Sequence, residues 1–187
     1  MFKMFYPYEY VKSVFDIDYD KLYSLGYRGL IFDIDNTLVH HGENSTPQID
    51  ELFRQIHITG FKTLLLSNNN KERIERFLTN IDSFYISDAD KPKTSNYDKA
   101  VKMLNIKKDE AVFIGDQIFT DIYGANRYGI ASILVDFLHY ENETKYGKKR
   151  ALESVVLKFY KHNRKYRNRL GNICKGEKYK KYVMETR

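Results

Sequence analysis

The stretch Leu30-Ile31-Phe32-Asp33-Ile34-Asp35-Asn36-Thr37 decides how this chain is read. A short apolar run ends in two aspartates spaced two apart. Side chains of a strand alternate with period 2, so Asp33 and Asp35 point the same way if the strand continues through them. Like charges that close repel, and neither readily stays ionised without a compensating cation. A bound divalent metal would turn the pair into a chemical site. A polar turn closing a strand also explains the residues, because Asp and Asn are common in turns. The rest of the chain separates these readings.

Outward from this stretch, apolar runs alternate with helical patterns. Residues 27–34 read as a buried strand. Thr46-Pro47 opens a helix, with threonine at the N-cap and proline at the first helical position. Ile49, Leu52, Phe53 and Ile56 follow the i, i+3, i+4, i+7 rule, and Gly60 closes the helix. Residues 61–66 give a second strand, 71–79 a helix and 84–86 a third strand. Thr94 is placed to cap a helix carrying Tyr97, Val101 and Leu104. Residues 111–114 and 130–135 supply two more strands, with a helix over 118–128 between them. Short apolar strands separated by helices predict an α/β fold with a doubly wound parallel sheet covered on both faces, a three-layer Rossmann-like arrangement.

The length of 187 residues suits one domain with an appendage. The expected organisation is an aromatic-rich lead-in over 1–26, a core over 27–145, and a basic helix and tail over 146–187. A single cysteine, Cys174, excludes an intramolecular disulfide framework. No run reaches transmembrane or signal-peptide length, so a cytoplasmic protein is expected, with peripheral contact at the inner face of a membrane left open. The net charge of +6 hides an asymmetry: residues 148–187 hold 14 Lys/Arg against 3 Glu, so the rest of the chain is acidic. A basic tail points to a polyanionic partner, an anionic membrane surface or nucleic acid, unless it is only a solvated face. In that tail Ala151, Leu152, Val155, Val156 and Phe159 form one apolar stripe expected to pack on the body. The last fifteen or so residues are expected to fray or to order only on a partner.

Ligands of an open parallel sheet gather at the carboxyl ends of its strands. The first strand ends in Asp33 and Asp35, and the second in Ser67-Asn68-Asn69. Lys91-Pro92 precedes the helix after the third, and the fourth ends in Gly115-Asp116, with Asp121 five residues on. Three kinds of group thus meet on one rim: carboxylates, amide and hydroxyl donors, and a lysine. Each could be a turn residue alone; their joint occurrence favours a site. His40 and His41 read as loop residues with at most a substrate contact, and His57, His139 and His162 lack metal-site spacing.

This ordered set, DxDxT, Ser-Asn, Lys-Pro and Gly-Asp-x-x-x-x-Asp, resembles the haloacid dehalogenase-like phosphohydrolase superfamily. The resemblance implies that Asp33 is a nucleophile forming an aspartyl-phosphate. It makes Asp35 the acid and base for leaving group and water, with a pKa that neighbouring Asp33 would raise and a metal would lower. It implies Mg²⁺ held by Asp33, the Asp35 main-chain carbonyl and Asp116. Ser67 and the amide near Asn68 would hold phosphate oxygens, and Lys91 would offset phosphoryl charge. Lys93 is the alternative lysine. Thr37, Gly115 and Asp121 would support the site.

Only 33 residues separate Asp33 from Ser67 and 23 separate Ser67 from Lys91, too few for a cap domain. An open site suits a phosphate displayed on a lipid, a nucleic-acid end or a protein. The chain is most similar to the small capless group (subclass IIIA) that includes YqeG-like proteins and phosphatidylglycerophosphate phosphatases. Tyr10-Val11-Lys12-Ser13 and Gly115-Asp116-Gln117 through Thr120-Asp121, Gly124 and Asn126 extend the likeness. It implies a phosphatase acting on phosphatidylglycerophosphate, and Phe2, Phe5, Tyr6, Tyr8 and Tyr10 could then sit at headgroup level. The rivals are a nucleic-acid-end or small-metabolite phosphatase and a catalytically silent binding protein. Oligomeric state is not legible in the sequence.

Overall fold

In the computed structural model, residues 2–138 and 147–175 are described. The elements are β1 (Glu9–Val11), α1 (Tyr19–Ser24), β2 (Gly29–Phe32), α2 (Pro47–Thr59), β3 (Lys62–Leu66) and α3 (Lys71–Phe77). They continue with β4 (Phe84–Ile86), α4 (Ser95–Leu104), β5 (Ala111–Gly115), α5 (Tyr123–Tyr128), β6 (Ala131–Val135) and α6 (Lys148–His162). The six strands form one parallel sheet in the order β1-β6-β5-β2-β3-β4. The chain winds from β2 outward through β3 and β4, then crosses to β5 on the other side of β2. That reversal opens the crevice where ligands of such sheets bind.

The central strands are apolar throughout because both faces are covered. On one face α2 and α3 contribute Ile49, Leu52, Phe53, Ile56, Ile74 and Phe77; on the other α4 and α5 contribute Tyr97, Ala100, Val101, Leu104 and Ala125. Phe53 packs against Phe32 with ring centroids 5.2 Å apart; truncating such a buried ring costs about 3–5 kcal/mol. The start and stop of α2 follow the sequence signals. Thr46 accepts a hydrogen bond from Ile49 N at 3.3 Å, and Gly60 ends the helix at φ 105°. Thr94 sits before α4 in a helical conformation and makes no side-chain cap, contrary to expectation. The segment expected as one helix over 118–128 begins as a π-helical turn, Ile118–Ile122, before α5.

The aromatic lead-in contributes a strand to the sheet. Glu9–Val11 pairs with β6 as an edge strand. Its aromatics are packed rather than presented: Tyr6 is buried, Phe5 stacks on Tyr123 at 4.7 Å, and Tyr8 lies under the Arg169 guanidinium at 3.7 Å. They are therefore not free for lipid headgroups; the side chain of Phe2 lies outside the described residues.

The C-terminal segment also returns to the body instead of fraying from residue 173. Leu170 and Ile173 are buried beside α1, Asp18 N donates to Ile173 O at 2.7 Å, and Lys175 N donates to Asp16 O at 2.8 Å. Backbone groups of Leu170 and Asn172 hydrogen-bond the buried Glu9 carboxylate, whose pKa burial nonetheless raises. Two apolar residues suffice to fix a segment whose composition reads as solvated. His139 and residues 176–187 lie outside the described residues. The expected stripe on α6 divides: Val156 is buried, with Glu153 and Tyr160, while Leu152, Val155 and Phe159 face outward.

Candidate active site

The site is built at the carboxyl end of β2, where the chain stops being a strand. Asn36 adopts φ 61°, and its N–H donates to Val39 O at 2.7 Å, closing a turn. Asn tolerates that left-handed conformation better than most residues. β2 ends at Phe32, before either aspartate, so the alternation of a continuing strand does not apply, and Asp33 and Asp35 share no hydrogen-bond partner. Their carboxylates enter different surroundings.

Asp33 lies on the floor. It is 6% exposed, and its Oδ1 receives Lys91 Nζ at 2.6 Å. The same ammonium reaches Asp121 Oδ1 at 2.8 Å. Asp116, at the end of β5, completes the group: one carboxylate oxygen each from Asp33, Asp116 and Asp121 all lie within 4.8 Å of one another. Burial raises the Asp33 pKa to about 7; Lys91 lowers it, while Asp121 and Asp116 push it up. Burial likewise raises Asp116 to about 6, with Asp121 adding to the rise and Arg150 opposing it. Burial works against the charge on Lys91, but Asp121 and Asp33 outweigh it and lift its pKa well above the ordinary lysine value. Three buried carboxyls beside one lysine and one arginine leave unbalanced negative charge. The donor set is all oxygen, clustered and deeply placed, which fits a hard divalent cation. The carboxylate of Asp35 is not in this cluster, and Asp121, expected only to support the site, is.

Asp35 forms the wall. Asn69 Nδ2 donates to its Oδ2 at 2.7 Å, Gly42 N donates to Oδ1 at 3.1 Å, and Arg73 Nη2 donates to Oδ1 at 2.9 Å. His41 Nδ1 lies 3.2 Å from Oδ2, although that imidazole is largely exposed. Burial pushes the Asp35 pKa up, but the hydrogen bonds from Asn69, Gly42 and Arg73 together hold it below the ordinary carboxylate value. The expected rise caused by Asp33 is thus overturned, because these donors outweigh burial.

The remaining candidates divide by what they touch. Ser67 is buried at the end of β3, its Oγ accepting Asn69 N at 3.2 Å and Asn69 Nδ2 at 3.0 Å. Asn68 Oδ1 accepts Lys91 N at 2.9 Å and so braces the loop that delivers the lysine. Lys91 is buried, whereas Lys93 is exposed and paired with Asp90. Thr37 Oγ1 donates to Asp116 Oδ1 at 3.1 Å. Asp121 Oδ2 accepts Gln117 N at 3.0 Å. Gly115 is required by close approach: a Cβ there would stand 2.6 Å from Asp121 Oδ2 and 2.7 Å from its Cγ.

Two arginines completing the site were not singled out in the sequence. Arg73, in the first turn of α3, is buried and joins Asp35 to the main-chain oxygen of Glu43 at 2.6 Å. Arg150, in the first turn of α6, pairs with Asp116 Oδ2, donates to the Asp116 main-chain oxygen at 2.8 Å, and pairs with Glu153 at 3.0 Å. Both read locally as ordinary helix-surface cations.

A family model described as haloacid dehalogenase-like hydrolase matches residues 43–129, a span that includes Ser67, Lys91, Asp116 and Asp121. The chain is 40% identical over 134 residues to "Probable phosphatase YqeG" of Bacillus subtilis (strain 168), covering 71% of this chain and 78% of that protein. The chain belongs to the haloacid dehalogenase-like hydrolase family. It is also 33% identical over 85 residues to a glyceraldehyde 3-phosphate phosphatase of Pyrococcus furiosus, covering 40% of this chain and 35% of that one. A solved structure of a protein from Listeria monocytogenes serotype 4b shares the fold at a TM-score of 0.51 and 22% identity, covering 73% of this chain and 99% of the other. Family membership accounts for the order of the strand-end motifs. The environments of Asp33 and Asp35 are properties of this chain's own packing.

Proposed function

We propose that this hydrolase is a Mg²⁺-dependent phosphomonoesterase working through an aspartyl-phosphate, with residues 27–145 as its catalytic core. The observation that carries the reading is the buried Asp33–Lys91–Asp121–Asp116 group facing a separately held Asp35. Asp33 Oδ attacks phosphorus; the Asp33–phosphorus bond forms as the bond from phosphorus to the leaving oxygen breaks. Asp35 gives its proton to that oxygen, then takes one from the water that attacks the phosphoenzyme and releases phosphate. Asn69 and Arg73 stabilise its ionised form, which suits the second step. The anionic phosphate arriving beside it raises its proton affinity for the first. Lys91 and Ser67 offset and hold the phosphoryl oxygens. Asp33, Asp116 and the Asp35 carbonyl would hold Mg²⁺, with Asp121 close enough to join them. The cation, when bound, neutralises charge on the transferring group.

The described loops between β2 and α2 and between β3 and α3 carry no cap domain. That openness favours a phosphate presented on something large, and phosphatidylglycerophosphate at the inner face of a membrane is the substrate we favour. The test is phosphate release with Mg²⁺ over lipid, sugar, nucleotide and polynucleotide phosphates, with Asp33→Asn as control. Turnover of the lipid above all others is expected. Good turnover of other phosphoesters with none of the lipid overturns the substrate, and silence over the whole panel overturns the activity.

A further inference from the structure

Among the described residues no helix is long and apolar enough to cross a membrane. α6 nevertheless has two working faces. Inward, Val156 and Tyr160 join Tyr6, Ile118, Ile122 and Leu134 in a small core, and Glu153 accepts Phe119 N at 3.2 Å. With the Arg150–Asp116 pair, these contacts fix the helix against the rim of the site. Outward, Leu152 is 57% exposed, Val155 44% and Phe159 57%. At 100° per residue the three lie within an arc of about 60° and span about 10 Å along the axis. Lys148 lies in the same arc and Lys158 and His162 border it on one side, all three exposed, while buried Val156 stands on the other. The only acidic residue of α6, Glu153, is turned inward.

We propose that this outward face docks the protein on an anionic bilayer surface. An apolar stripe rimmed by lysines on a surface helix is the pattern of a helix that lies in the headgroup plane. Each exposed lysine close to an anionic leaflet strengthens partitioning by up to about fivefold. A second copy of the chain fits less well. A stable contact needs about 800 Å² per partner, far more than three side chains provide, and a two-fold pairing would set lysine against lysine. The lead-in aromatics Phe5, Tyr6 and Tyr8 are already packed, whereas α6 carries exposed apolar and cationic side chains on one face. The inference rests on the lipid reading above for the substrate, but its own test is binding.

The full chain is sedimented with vesicles rich in phosphatidylglycerol and with vesicles of phosphatidylcholine alone. Wild type is expected to bind the first and not the second. Leu152→Gln/Phe159→Gln and, separately, Lys148→Glu/Lys158→Glu are expected to weaken binding at least about tenfold, with hydrolysis of a soluble phosphomonoester and the melting temperature unchanged. Wild-type binding that survives both variants, or no wild-type binding, overturns the proposal. So does a shift from dimer to monomer in the apolar variant, which assigns the stripe to a second copy. A lowered melting temperature with unaltered vesicle binding assigns it to the chain's own packing and overturns the proposal too. Loss of soluble-substrate hydrolysis in wild type would instead strike the phosphatase reading alone.

Discussion

Asp33 and Asp35 are separated by one residue, yet the floor and the wall of the site treat them oppositely. The floor is buried and crowded with acids, and it pushes Asp33 up to about 7 despite its lysine. The wall offers an amide, a backbone N–H and a guanidinium, and it holds Asp35 down. Identical side chains thus meet opposite surroundings. Under the mechanism we propose, this is a division of labour: charge density is concentrated where phosphorus is attacked, and hydrogen bonds where a proton must be passed.

The sharpest way to break this contrast is to neutralise each member. Asp33→Asn should remove activity by at least about 10³-fold and leave no phosphoenzyme. Asp35→Asn should slow turnover by about 10²–10⁴-fold while a labelled phosphoenzyme still forms on Asp33; equal absence of label in both variants would erase the distinction. Arg73→Met should lower kcat about 10–100-fold with little change in KM, because the arginine orients Asp35 without meeting the phosphate, and Arg73→Lys should restore part of the loss. A change confined to KM would place Arg73 in substrate binding instead.

The floor can be probed by pH. Asp33 and Asp116 have pKa values raised above the unfolded value near 4, so the metal-free fold binds more protons than the unfolded chain. Its stability should therefore fall as pH rises from about 4 to about 7. A divalent cation competes with those protons, so stabilisation by Mg²⁺ should grow through pH 6–7 and reach about 2.7 kcal/mol at a hundredfold excess over Kd. Melting curves with Mg²⁺ and with chelator at pH 5.5, 6.5 and 8 read this directly; a pH-independent Mg²⁺ shift would contradict a cation bound on the floor. Gly115→Ala should cost about 1–3 kcal/mol by denaturant unfolding, since the new methyl must displace the Asp121 carboxyl.

Much of this was legible in the sequence because it is written at strand ends. Asp33, Ser67 and Asp116 each directly follow an apolar strand, Lys91 and Asp121 come within a short loop of the ends of β4 and β5, and parallel strands bring those ends together. The surroundings of Asp35 were hidden because its partners Asn69 and Arg73 come from another part of the chain. Arg73 and Arg150 were hidden because their partners lie 38 and 34 residues away and nothing local marks them. β1 escaped as three residues inside an aromatic segment, and the stripe of α6 was read as one face although its helix buries only the Val156 side. Periodicity reports which residues share a face and is silent on what that face meets.

The pairing of β1 with β6 carries a consequence for how the chain is made. Glu9 lies opposite Ile133 in the sheet, and its carboxylate is tied to the backbone of Leu170 and Asn172. β1 therefore waits for β6, far along the chain, before its ladder hydrogen bonds exist. Contacts of such sequence separation form late and slow folding. The lead-in and the C-terminal segment close the molecule together, like the two ends of a clasp, around a central sheet that can assemble earlier. Deleting β1 removes half of that clasp and leaves the β6 edge open to pairing with other chains.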